Sequence, residues 1–326
     1  MDRRTFLKYV ASVPLASALP RLAFGQEPKK SQVIITRDDS FKPNSIERGP
    51  AREALRRAVT HLTAKEDPEA AWGSLFDPDD VVGVKMSCLG GRQISPQPEL
   101  AFALADELHQ FARIPYKNII LWDRSDRDLR RAGYKAAPAT DSSPTIAGTD
   151  SSGGYDSDVT PWGPPDQNSG SCFSRIISSH ATALVSLAVL KDHDLAGVSV
   201  NLKNFYGAIH NPHKYHDNNC DPYIAQLNTH PFIKNKLRLS VTDASVGLYN
   251  GGPSMKPQWS WTYGGLIIGT DAVAVDAVCA DIIEKKRAEA GMPPLEGVGR
   301  PTKHIQTAST LGLGVADLNR IDIVEV

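Results

Sequence analysis

The densest concentration of chemically active side chains lies in AGVSVNLKNFYGAIHNPHKYHDNNCD, where Lys203, Asn204, His210, His213, His216, Asp217 and Cys220 fall within 18 residues. Imidazoles three residues apart can converge on one cation, so His210, His213 and His216, with Asp217 or Cys220 nearby, form a candidate site for zinc, nickel or iron. Pro212 argues against a regular helix through the cluster, so helical geometry cannot check the ligand spacing. The same histidines read equally as a polar loop whose rings hydrogen-bond, meet solvent or act as acid and base. Lys203 with Asn204, and Lys191 with His193, point to a different chemistry: an ammonium charge beside amide donors suits a carboxylate or phosphate. Lys203 could instead pair with an internal carboxylate such as Asp243.

In open α/β sheets ligands collect beyond the carboxyl ends of the strands, which gives weight to polar residues placed there. Lys85, with Ser87, ends VVGVKMS; Asp123 ends NIILWD; Lys191 and His193 follow LVSLAVL; Asp243 ends LRLSVTD. Each alone also reads as a helix cap, a turn former or a solvated charge. Together they define a candidate site with His193, His210 and Asp243 as catalytic groups and Lys85, Lys191, Lys203, Asn204 and Gly252 as contacts to an anionic substrate or cofactor. Gly251-Gly252-Pro253 reads as a turn whose amides can also approach an anion. The chain contains no G-x-G-x-x-G, P-loop or G-x-S-x-G pattern, so nucleotide-fold and hydrolase assignments have no direct support.

Short β-branched runs alternate with longer helical patterns, which predicts an α/β fold: a mainly parallel or mixed sheet covered by helices in a single large domain. Strands are expected at Val33–Thr36, Val81–Met86, Asn118–Asp123, Ser178–Leu190, Leu237–Asp243, Leu266–Gly269 and Ile321–Val326. Helices are expected at Pro50–Thr63, Gln97–Ala112, Ala272–Ala290 and Thr302–Leu311, with a buried helix or turn across Leu195–Tyr206. In the first helix Ala54, Leu55, Ala58, Val59 and Leu62 share one face. Residues 136–170 turn to Ser, Thr, Asp, Gly and Pro and read as a long polar surface loop inside the domain, either a functional lid or a poorly ordered excursion.

The N-terminus, MDRRTFLKYVASVPLASALPRLAFGQE, places Arg3 and Arg4 before Phe6-Leu7-Lys8 and a short apolar stretch ending in the small-x-small site Ala23-Phe24-Gly25. Residues 1–25 therefore read as a twin-arginine signal peptide, with the α/β domain occupying 26–326 and the mature protein periplasmic or otherwise exported. The translocase of that route is the expected partner during export. The apolar stretch is too short and too rich in alanine and proline to span a bilayer, and no membrane anchor is expected after cleavage. Dropping four basic and one acidic residue takes the formal charge from −1 to about −4, which makes nucleic acid an unexpected partner. Cys88, Cys172, Cys220 and Cys279 form no C-x-x-C, so no iron–sulfur cluster is expected; Cys88 and Cys279, inside apolar runs, read as buried thiols.

Three segments, LAVLKDHDLAGVSVNLKNFYGAIH, VTDASVGLYNGGP and GGLIIGTDAVAVDAVCADI, resemble the core of the domain of unknown function 362 family. The resemblance implies functional or structural weight at Lys191, His193, Lys203, Asn204, Gly207, Asp243, Gly252, Pro253, Asp271 and Asp276. Lys85 looks like the family's early strand lysine, with Ser87 where an asparagine often stands. Many members append a cysteine-rich ferredoxin segment that this chain lacks. A more distant likeness to the nickel-dependent lactate racemase group is analogy alone. Two readings follow: a metal- or cofactor-dependent enzyme acting on a small anionic organic substrate, of racemase, isomerase or oxidoreductase type, or a non-catalytic protein that binds or matures an anionic ligand or metal.

Overall fold

The computed structural model describes residues 30–165 and 169–326; the leader assigned to residues 1–25 lies outside them. Eight strands make the spine of one mixed sheet: β1 (Ser31–Arg37), β2 (Val82–Met86), β3 (Ile119–Asp123), β4 (Thr145–Gly148), β7 (Ala183–His193), β9 (Leu237–Leu248), β11 (Gly265–Gly269) and β12 (Ile321–Glu325). Two-residue strands β8 (Gly197–Val198) and β10 (Ser260–Trp261) pair with β7 and β9, and β5 (Thr160–Pro161) with β6 (Gly170–Ser171) forms a separate ribbon. The order is β12-β1-β11-β9-β7-β2-β3-β4. Only β11 runs against its neighbours within this spine; the other seven strands share one direction.

Alternation along the strands explains the three layers. Ile34 faces one side, where α1 (Arg48–Thr63), α2 (Pro68–Gly73), α3 (Pro98–Phe111) and α4 (Asp126–Ala132) cover it together with Val82, Val84, Val185 and Leu187. Val33 and Ile35 face the other side, with Leu184, Ala188 and Ile267, under α6 (Tyr223–Asn228), α7 (Pro231–Lys234), α8 (Ala272–Glu289) and α9 (Lys303–Thr310). All eleven residues of β7 are buried, as a central parallel strand requires. Among the described residues no helix is long and apolar enough to cross a membrane.

Several boundaries differ from the pattern in the sequence. Residues 176–180 form a wide helical turn, so β7 starts only at Ala183 and runs on through Lys191 to His193. Strand β9 continues past Asp243 to Leu248, because Ala244, Val246 and Leu248 keep finding apolar cover. The 136–170 segment is not one continuous loop: Thr145–Gly148 pairs in parallel with β3 as the sheet's edge strand, and Ile146 and Ala147 are buried despite their polar surroundings.

The topology creates one privileged position. From β2 the chain winds outward through β3 to β4, whereas from β7 it winds the opposite way to β9. The carboxyl ends of β2 and β7 therefore flank a switch point, where diverging connections leave a crevice in sheets of this kind. Short helix α5 (Asn201–Asn204) sits near it, set by Asp276 of α8, whose carboxylate accepts the backbone N–H groups of Asn201 at 2.8 Å and Leu202 at 2.9 Å. A carboxylate on the first two amides of a helix satisfies donors that have no intrahelical partner. Asp271 does the same for α8, accepting from Val273 and Ala274, and its other oxygen ties down Val315.

Candidate functional site

Two lysines flank the switch point, and their surroundings differ sharply. Lys85, at the end of β2, is 1 % exposed, and its Nζ donates to Asp123 Oδ1 at 2.6 Å, Met86 O at 2.6 Å and Asn204 Oδ1 at 3.1 Å. Asp123 is held further by the backbone N–H of Cys88 at 2.7 Å and of Arg124 at 2.7 Å. Asn204 returns its amide to Lys85 O at 2.8 Å and Ser186 Oγ at 3.0 Å. Every strong donor and acceptor here is engaged internally, and Lys85, Asp123 and Asn204 form a clamp joining β2, β3, β7 and α5.

Gly207 closes this clamp. A Cβ there would lie 2.6 Å from Lys85 Nζ and 3.0 Å from Asp123 Oδ1. Gly207→Ala is expected to destabilise the fold by about 1–3 kcal/mol through overpacking, read as a lower urea midpoint with an unchanged slope.

Lys191, near the end of β7, is 2 % exposed, and its Nζ has no hydrogen-bond acceptor among the described residues. A Cβ on Gly90, in the turn after β2, would lie 3.4 Å from that nitrogen. Burial lowers the Lys191 pKa to about 8, with the Lys203 charge adding to the depression and Asp123, Cys88 and Asp192 opposing it. The two carboxylates are already engaged: Asp123 by Lys85, and Asp192 by Arg300 Nη1 at 2.8 Å and the Gly252 N–H at 2.8 Å.

Lys203 and three histidines form the adjoining wall. Lys203 Nζ lies 3.1 Å from His216 Nε2 and 4.3 Å from the centre of the Tyr206 ring. His216 Nδ1 lies 2.9 Å from Pro212 O, which places the ring proton on Nδ1 and leaves Nε2 to accept from Lys203. Burial lowers the Lys203 pKa to about 8. His193 stands 5.9 Å from His216 between ring centres. Its Nδ1 accepts the N–H groups of Leu195 at 3.1 Å and Ala196 at 3.2 Å, so its proton is on Nε2. Asp194 Oδ1 is 3.0 Å from the same Nδ1, but a nitrogen that accepts two amides has no proton to share, and the contact is not an ion pair. Burial first, then Lys203, drives the His193 pKa down to about 2.

His304, at the start of α9, was not singled out in the sequence. It is fully buried, neither ring nitrogen has a partner, and burial followed by the Lys203 charge lowers its pKa to about 3. Its only sequence signal is a shared buried face with Ile305 and Ala308.

The remaining expected site residues are placed elsewhere. His210 leaves the histidine cluster: its backbone bonds to Cys172, its carbonyl accepts from Arg124, and its ring meets Tyr155 edge-on at 5.1 Å. His213 is exposed, 5.9 Å from His216 between ring centres. The three expected metal ligands are thus not brought together, and among the described residues no group of three or more His, Cys, Asp or Glu is arranged to hold a metal ion. Asp243 lies inside β9 and accepts from Gln97 N and Ser245 N at 2.9 Å each, anchoring the start of α3 instead of facing Lys203. Gly252 serves packing: a Cβ would lie 2.2 Å from Asp192 O. Cys88 and Cys279 are buried free thiols, as their apolar settings implied; Cys220 is also buried and unpaired, and Cys172 is free.

A surface hollow of about 580 Å³, lined by Gly153, Asp156, Asp158, Arg175 and His180, includes none of these lysines and no buried unpartnered group. The strand ends of β2 and β7, with Lys191 and the unpartnered ring nitrogens of His304 nearby, offer a ligand more buried polar groups than that open, mixed-charge hollow does.

Residues 162–281 match the family described as Domain of unknown function (DUF362). The matched stretch carries Lys191, His193, Lys203 and His216, while Lys85, Asp123 and His304 lie outside it. No curated protein and no solved structure gives a match to the chain.

Proposed function

We propose that the α/β domain, whose central part matches a family of unknown function, is an enzyme for a small organic anion held at the crevice between β2 and β7. The observation that carries this reading is Lys191, a lysine 98 % removed from solvent with no acceptor for its ammonium, beside a second buried lysine and three neutral imidazoles. Unpaired buried charge is costly, and a carboxylate or phosphate ligand supplies the missing partner. Lys203 provides a second cationic contact. His193, with its proton on Nε2, supplies a donor, and His216, whose Nε2 accepts from Lys203, orients that ammonium toward the ligand.

A metal-dependent version of the reaction rests on fewer groups. His213 and His216 remain neighbours, but His210 does not join them, so lysine chemistry carries the reading. Export belongs to the same proposal and is supported by Arg3-Arg4-Thr5-Phe6-Leu7-Lys8 and the Ala23-Phe24-Gly25 site alone.

The test is a thermal-shift panel of small carboxylates and phosphates on the exported protein. At a concentration about 100 times its dissociation constant, the correct class contributes about 2.7 kcal/mol and raises the melting temperature by roughly 5 °C. Lys203→Ala is expected to abolish the shift. Because the anion favours protonated lysine, the shift is expected to be full below pH 8 and to fall as pH rises beyond it. An anion shift indifferent to Lys203→Ala and to pH would place the ligand elsewhere and sink the proposal.

A further inference from the structure

Of the three buried lysines among the described residues, Lys85 is engaged by Asp123 and Lys203 by His216, while Lys191 has no partner. We propose that Lys191 is a covalent nucleophile that condenses with the carbonyl carbon of a small 2-oxo acid, an inference that rests on the anion site described above. A lysine retained only to hold a carboxylate would duplicate Lys203, and it would be expected to lie where hydrating water or a neighbouring oxygen offsets its charge. Lys191 instead sits against the glycine turn Gly90-Gly91, packed with buried Ile94, where a Cβ on Gly90 would lie 3.4 Å from Nζ and no oxygen of the turn accepts from it.

Every charged or titratable group acting on Lys191 leaves its lone pair uncommitted. Asp123 is taken by Lys85, Asp192 by Arg300 and Gly252, Cys88 is a buried thiol held protonated by burial, and Lys203 carries like charge. A second cation beside a dehydrated lysine is a recognised means of freeing amine at neutral pH. With burial lowering the pKa to about 8, about a tenth of Lys191 is uncharged at pH 7.

The step balances without a redox partner. The amine lone pair forms a C–N bond as the carbonyl π pair moves to oxygen. The nitrogen loses a proton and the oxygen gains one, giving a carbinolamine; loss of water then leaves a C=N bond. Lys203, across the crevice, holds the substrate carboxylate while this occurs.

The probe is pyruvate with sodium cyanoborohydride, applied to the full exported protein, with adducts mapped by peptide mass spectrometry and melting temperature followed in parallel. The expected result is one reduced adduct per chain, at Lys191, formed at least about 10-fold faster than at exposed Lys42 or Lys65, with a rate that rises through pH 8. Lys191→Met is expected to lose the adduct while melting no lower than the parent. Adducts spread over Lys42 and Lys65 with Lys191 unmodified, while pyruvate still raises the melting temperature in a Lys203-dependent way, would overturn the nucleophile and leave the anion site standing. Neither an adduct at Lys191 nor a thermal shift would overturn both.

Discussion

Lys85→Met is expected to destabilise the protein by about 3–5 kcal/mol, because it strips a buried carboxylate of its cation without offering a replacement. Asp123 would keep only the backbone N–H groups of Cys88 and Arg124, and Asn204 Oδ1 would lose its donor in the same stroke. The Lys85–Asp123 pair, 2.6 Å apart with side chains 2 % and 7 % exposed, is not screened by water, so the discount applied to surface ion pairs does not hold here. Asp123→Asn is expected to cost less, since Lys85 retains Met86 O and Asn204 as acceptors. The double variant Lys85→Met, Asp123→Leu should recover much of the loss, because two apolar residues leave no unpaired charge. Chemical denaturation of these proteins, with Asp123→Leu alone completing the cycle, measures the coupling. If the single and double variants were equally destabilised, Lys85 would not be acting through Asp123 and the clamp would be misassigned.

That clamp shows where reading the sequence stops short. VVGVKMS and NIILWD each end in a polar residue, and the strands end there at Met86 and Asp123, since period-two alternation is a local property. Which residue meets which is not local. Lys85 and Asp123 are 38 positions apart, so nothing in either segment reveals that they pair with each other. The histidine spacing misled for a related reason. Pro212 starts a 3₁₀ turn over Pro212–Tyr215, in which positions three apart fall on one side, so His213 and His216 stay neighbours. His210 precedes the turn and is drawn away by the bond from its N–H to Cys172 O. His304 follows Cys220 by more than 80 residues and carries no motif; only folding α9 against α6 brings it to the cluster. The edge strand β4 was hidden by composition, because four residues of strand were too few to stand out from the surrounding Ser, Asp and Gly.

The opposite outcome is expected at Lys191. Lys191→Met is expected to stabilise the unliganded protein by about 1–3 kcal/mol while removing its response to anions. Methionine matches the length and flexibility of lysine and carries no charge to dehydrate. A fall in pKa from 10.5 to about 8 corresponds to roughly 3 kcal/mol by which burial disfavours the ammonium. The pH dependence follows. Below pH 8 Lys191 is protonated in both folded and unfolded chains, and the full penalty is present. Between pH 8 and 10.5 the unfolded chain still binds a proton that the folded chain has released, so this residue makes stability rise with pH; above 10.5 the penalty is gone. Lys191→Met should therefore melt higher at pH 7, lose most of that advantage by pH 10.5, and show no carboxylate-induced shift at any pH. The pairing of greater stability with lost binding is the signature of a group held at a cost for function. A variant less stable than the parent at pH 7 would mean that Lys191 has a structural partner, and the crevice would lose its central anion-binding group.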